Sequence, residues 1–159
     1  MTGTEYRRLV AKYLVEAYSG RGLQVYEEVP IGTSIIGKQR RVDLLAISTA
    51  SLEALAIECK YQESSGTTDE KIPYALQDLV ALRLPSAVVY AGSGWSEGVL
   101  HLLQASEIAA YCLPDAGLQP SPRRSGDPID SGTWQLDHIL ALTFRWWDVL
   151  VAGKQPVGA

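Results

Sequence analysis

Apolar side chains return every third or fourth position through the opening stretch. Tyr6, Leu9, Val10, Tyr13, Leu14 and Ala17 share one helical face, and Ser19-Gly20-Arg21-Gly22 stops the pattern. A first amphipathic helix is predicted here. The period then changes: Leu23 to Val29 alternates as a strand does and ends before Pro30, while Arg41 to Ser48 and Leu52 to Tyr61 are β-rich runs, apolar on both sides like strands covered on both faces. After the polar loop ESSGTTDEK, Pro73 sits where a first helical residue often does, so a helix is predicted over Tyr74 to Leu84, ended by Pro85. Ala87 to Ala91 reads as a short strand, and Gly92 to Gly94 as a turn. Ser96 to about Glu107 reads as a helix, and Ala109 to Leu113 as a last strand. The predicted order is helix, three strands, helix, strand, helix, strand. That order implies an α/β three-layer sandwich around a mixed sheet, with an antiparallel meander followed by right-handed crossovers.

Residues 114–133 are crowded with Pro, Gly and Ser and read as a loop that sets off the core, 1–113, from a C-terminal segment, 134–159. In that segment Trp134 to Ala152 is predicted as one helix. Its polar positions His138, Arg145 and Asp148 form a narrow stripe, and Leu136, Ile139, Leu140, Phe144, Trp146, Trp147 and Leu150 cover much of the rest. So apolar a helix must pack on something. Docking onto the domain's own sheet is the ordinary outcome; a two-fold dimer burying Trp146 or Trp147 is the other expectation.

Composition narrows the function classes. With 159 residues and 47% hydrophobic positions, the chain has the size and core of one domain. Two cysteines, Cys59 and Cys112, with no CxxC or Cys/His spacing, argue against a disulfide framework or structural zinc and for a reducing, cytoplasmic setting. No apolar run approaches the ~20 residues that span a bilayer, and the N-terminus lacks the apolar stretch of a signal peptide. A net charge of −4 argues against a protein that coats nucleic acid nonspecifically. Any nucleic-acid role must rest on local charge, and Lys38, Arg40 and Arg41 form the clearest basic cluster, just ahead of Asp43.

One stretch resists a purely structural account. AIECKYQE places Glu58 and Lys60 inside a strand that otherwise reads as buried, where an unpaired charge costs several kcal/mol. A hairpin centred on Ala50 and Ser51 sets Asp43 directly opposite Glu58, and Lys60, two residues on, shares their face while Cys59 points the other way. Two carboxylates about 4 Å apart repel by about 4 kcal/mol at an effective dielectric of about 20, and one lysine supplies one charge for two. A divalent cation would settle the balance. With oxygen donors only and no His or Cys in place, Mg²⁺ or Mn²⁺ suits the site better than zinc.

Asp43 followed by Glu58-x-Lys60 on adjacent strands of an α-β-β-β-α-β chain resembles the PD-(D/E)xK superfamily of restriction-endonuclease-like nucleases, over roughly Thr4 to Leu113. Where the family name has Pro before the Asp, this chain has Val42. The resemblance implies Asp43 and Glu58 as metal ligands, Lys60 as the residue that orients or activates water, and DNA as the substrate. It also implies a helix-1 glutamate, here Glu5, which a capping box from Thr2 explains equally well, and a role for Gln62, otherwise a solvated strand end. The loop GTTDEKIPY resembles a stretch in which a lysine and the start of a helix face nucleic acid, making Lys71 and Tyr74 candidate contacts beside Lys38, Arg40 and Arg41; a capped helix start is the plainer reading. Three functions follow from the same residues: a Mg²⁺-dependent endonuclease-like deoxyribonuclease, a catalytically silent binding or assembly module on the same fold, or a half-exposed ion network with no metal affinity.

Overall fold

The computed structural model describes residues 1–158. Helix α1, Gly3–Tyr18, starts at an N-cap Thr2 whose hydroxyl accepts from Glu5 N while the Glu5 carboxylate accepts from Thr2 N, and it buries Tyr6, Val10, Tyr13 and Leu14. Strands β1 (Leu23–Thr33), β2 (Gln39–Ser48) and β3 (Ala54–Tyr61) follow, then α2 (Thr68–Val80), β4 (Ser86–Ala91), α3 (Glu97–Ala105) and β5 (Ala109–Tyr111). Two further helices, α4 (Trp134–Phe144) and the short α5 (Trp147–Leu150), close the chain. The strands form one sheet in the order β1-β2-β3-β4-β5, antiparallel from β1 to β3 and parallel from β3 to β5. This is the mixed-sheet α/β fold of restriction-endonuclease-like proteins that the element order predicts.

Alternation assigns the layers. Tyr6 of α1 packs its ring 5.5 Å from that of Tyr61, on the odd-numbered face of β3, whereas α2 lines a cleft with Glu58 and Lys60 on the even-numbered face. Helix α4 joins α1 on the first face, because the buried Asp137 accepts hydrogen bonds from the hydroxyls of Tyr13 and Tyr18. The sheet is thus covered on both sides, which is why its strands read as apolar in both registers.

Several boundaries differ from the sequence reading, each for a physical reason. Strand β1 runs through Pro30 to Thr33 with a register shift between Pro30 and Thr33, which an edge strand tolerates because no outer neighbour needs the missing N–H. Helix α2 begins at Thr68, not Tyr74, so Pro73 lies inside it; the first turn is polar, with Glu70 and Lys71 exposed and Asp69 half-buried against Gln62, and that polarity imitates a loop. The predicted helix over 134–152 is two helices, broken where Arg145 takes a left-handed φ of 61°. Segment 114–133 holds no helix or strand and is packed: Leu118 is buried, Leu113 N donates to the Gly132 carbonyl, and Ser121 and Thr133 bond each other. Trp146 does not wait for a partner copy, since it stacks on Tyr18 with centroids 4.9 Å apart and lies 9% exposed; Trp147 is 56% exposed.

Candidate active site

The β2–β3 ladder has the register the hairpin symmetry predicts, pairing Leu44 with Ile57 and Ile47 with Ala54, and its described pairs end at Leu44–Ile57. Beyond that point β2 stays with β1 as far as Gln39, and β3 stays with β4 as far as Tyr61. The two strands therefore part as a fork, and Asp43 and Glu58 stand at its crotch. The N–H groups of Ala56 and Gln62 point toward β4, bonding Pro85 and Ala91 carbonyls, so the odd-numbered N–H groups point toward β2. Past the fork, no backbone pair with β2 is found for them among the described residues. Asp43 supplies an acceptor with its side chain, Oδ2 accepting from Cys59 N at 2.8 Å.

Glu58 and Lys60 are half-buried, and Lys60 Nζ donates to Glu58 Oε1 at 2.8 Å. Burial pushes the Glu58 carboxyl up from its ordinary value, the Asp43 charge adds to that, and the Lys60 ammonium opposes it. One oxygen of each carboxylate is thus engaged by a protein donor, leaving Asp43 Oδ1 and Glu58 Oε2. Among the described residues, no group of three or more His, Cys, Asp or Glu comes together as metal ligands. Two carboxylates suit a small hard cation that keeps several waters and completes its shell with substrate phosphate, which is how magnesium is commonly bound.

The fork opens into a cleft of about 430 Å³ whose walls include Lys38, Arg40, Arg41 and Val42 from β2 and the turn before it, Glu58 and Lys60 from β3, and Lys71, Tyr74 and Asp78 from α2. Of the sequence-predicted residues, Asp43 lies at the base of the fork, and Lys38, Arg41, Lys71 and Tyr74 are exposed along the cleft. Arg40 departs from expectation: it is buried, with Nε 2.9 Å and Nη2 2.7 Å from the two carboxylate oxygens of Asp78, so it is not a free phosphate contact. Glu5 spends its carboxylate on the α1 cap, whose backbone donor lowers its pKa, and does not gather with Asp43 and Glu58 into a three-carboxylate group.

Gln62 is not a solvated strand end. It is buried, its amide donating to Asp69 Oδ1 and to the Gly94 carbonyl at 2.8 Å each, so it ties the end of β3 to the start of α2 and to the loop after β4. That loop approaches so closely that a Cβ on Gly92, at φ 101°, would collide with the Gln62 carbonyl. Asp69 and Asp78 were not singled out by sequence reasoning, since an aspartate in a polar loop or on a helix is indistinguishable from a solvated one until its partner strand is placed.

A family model described as a PD-(D/E)XK nuclease superfamily domain matches residues 2–147. Among solved structures, a repair endonuclease from Pyrococcus abyssi is 17% identical at a TM-score of 0.39, over 65% of this chain and 44% of that one. AF1548, a protein of unknown function, is 14% identical at a TM-score of 0.44, over 67% of this chain and 55% of that one. The chain spans about half the length of these solved chains. No curated protein matches it.

Proposed function

We propose that this chain, which belongs to the PD-(D/E)XK nuclease superfamily, is a Mg²⁺-dependent endonuclease-like enzyme that hydrolyses DNA phosphodiester bonds at the fork between β2 and β3. Members of the superfamily generally use divalent metal ions. The observation that carries the reading is the meeting of Asp43, Glu58 and Lys60 at the mouth of a cleft whose unpaired charges are positive. Lys60 is matched by Glu58 and Arg40 by Asp78, whereas Lys38, Arg41 and Lys71 have no ion-pair partner among the described residues. An acidic protein thus presents a local surplus of three cations where a phosphate backbone would lie.

Asp43 and Glu58 would hold the metal through their remaining oxygens. A bound divalent ion supplies Lewis-acid polarisation of the phosphate and of the attacking water. Lys60, released from Glu58 Oε1, donates to the phosphoryl oxygen that gains charge and orients the nucleophile, in a pocket where water is partly excluded and a fixed donor is worth more than in bulk. Its compact ammonium suits that task; a planar guanidinium would not. The buried free thiols Cys59 and Cys112 suit a reducing, cytoplasmic compartment. No helix among the described residues is long and apolar enough to cross a membrane. Cutting both strands of a duplex calls for two active sites, and exposed Trp147 marks the face we assign to a two-fold partner.

The test is cleavage of a panel of duplex, branched and single-stranded DNA with Mg²⁺, Mn²⁺ or chelator. We expect metal-dependent cutting and a rise in thermal stability with metal that Asp43→Asn abolishes; a ligand at about 100 times its Kd adds about 2.7 kcal/mol. The 2.8 Å Lys60–Glu58 pair favours one rival, a structural ion network, which predicts neither cutting nor metal affinity.

A further inference from the structure

The Arg40–Asp78 pair sits in the cleft wall, yet a carboxylate there opposes the binding of a polyanion. Its geometry shows what it does instead. Asp78 Oδ1 accepts from Arg40 Nη2 at 2.7 Å and from Ile35 N at 2.9 Å, and Oδ2 accepts from Arg40 Nε at 2.9 Å. Arg40 Nη2 also reaches the Asp78 carbonyl at 3.2 Å, one of the end carbonyls of α2, a helix with no basic residue of its own in its last turn. Ile35 belongs to the turn between β1 and β2, which closes on itself through Ser34 N to the Lys38 carbonyl, Gly37 N to the Ser34 carbonyl and Lys38 N to Ser34 Oγ. A turn so bonded moves as a unit. Its position relative to α2 is fixed at Asp78.

We propose that Asp78 is a positioning residue for the bound nucleic-acid backbone. By holding Arg40 and Ile35 it fixes the spacing between the Lys38 and Arg41 side of the cleft and the Lys71 and Tyr74 side. The proposal rests on the nuclease reading for what the cleft holds. Three cations on two separate walls meet successive phosphates only if the walls keep one distance. Asp78 itself touches no reacting atom, so its loss acts on binding and not on the chemical step.

The decisive variants are Arg40→Lys, which keeps the charge but cannot chelate through a planar fork, and the double change Arg40→Met with Asp78→Leu. The latter replaces the buried pair by apolar groups and avoids stranding one charge. Measurements are the Tm, the Kd for a fluorescent 20-residue DNA in calcium without turnover, its salt dependence, and separate kcat and KM in Mg²⁺. Both variants should fold, raise Kd and KM at least ten-fold and leave kcat within about three-fold. The slope of log K against log salt should flatten by about one phosphate contact. Unchanged Kd and salt slope, even with a shifted Tm, would overturn the proposal, as would a loss confined to kcat. Failure of the underlying reading looks different, because then wild type neither binds nor cuts the DNA, and the proposal falls with it.

Discussion

Lys60 bears a different consequence under each reading of the site. Its removal leaves both candidate metal ligands, so Lys60→Ala should lose most turnover while metal binding persists or tightens, and Lys60→Arg should not rescue it. In an ion network the same change would strand Asp43 beside a half-buried Glu58 and show up as lost stability without any catalytic effect. Cleavage and thermal unfolding, measured side by side at one salt concentration, separate the two; a Lys60→Ala protein that cuts like wild type removes Lys60 from the chemistry. The trio of Asp43, Glu58 and Lys60 was legible in the sequence because strand alternation and hairpin symmetry are rigid rules: once the turn is placed, the facing residues follow. Gln62 and Arg40 were not, since each looks like a solvated end until glycines 92 and 94, or α2, close over it.

At the scale of elements, α2 is held to the sheet by two carboxylates, Asp69 on Gln62 and Asp78 on Arg40. The Arg40 guanidinium holds the Asp78 carboxyl below its ordinary 3.8. A depressed folded-state pKa stabilises the protein above the ordinary carboxylate range, and that stabilisation is lost as pH falls through the lower folded value. Thermal melts from about pH 5 down to about pH 2 should therefore fall less steeply for the Arg40→Met, Asp78→Leu protein than for wild type. Equal slopes would mean the pair is not linked to folding. The sequence located this helix but misplaced its start, because its first turn is wholly polar and Pro73 resembles a beginning. It also missed the break at Arg145, since a left-handed arginine leaves none of the glycine signal that marks most helix ends.

The whole molecule is fastened on the far face by Asp137. This buried carboxylate accepts from Tyr13, Tyr18 and Thr133, joining α1, α4 and the end of segment 114–133. Burial raises its pKa against those donors, so its ionised form is carried at some expense that grows as pH rises through the folded value. Asp137→Ala would leave three hydroxyls without their acceptor, each worth about 1–3 kcal/mol, offset by the charge removed. We expect a net loss near 3 kcal/mol and a Tm lower by roughly 6–12 °C, with Asp137→Asn closer to wild type. A Tm unchanged in the alanine variant would show that the node is not structural.

The parting of β2 from β3 makes the end of the active strand a cantilever, paired through its backbone with β4 past Ile57, tied to β2 by the Asp43 side chain and stiffened at its tip by Gln62. The Cys59 amide, latched by Asp43, is a natural gauge of how far that beam is sprung. Asp43→Ala should release this proton to deuterium exchange while leaving the Gln62 amide, bonded to Ala91, as slow as before. A cation gripping Asp43 through its other oxygen should slow the Cys59 proton further in wild type, so one amide reports occupancy of the fork without any substrate present.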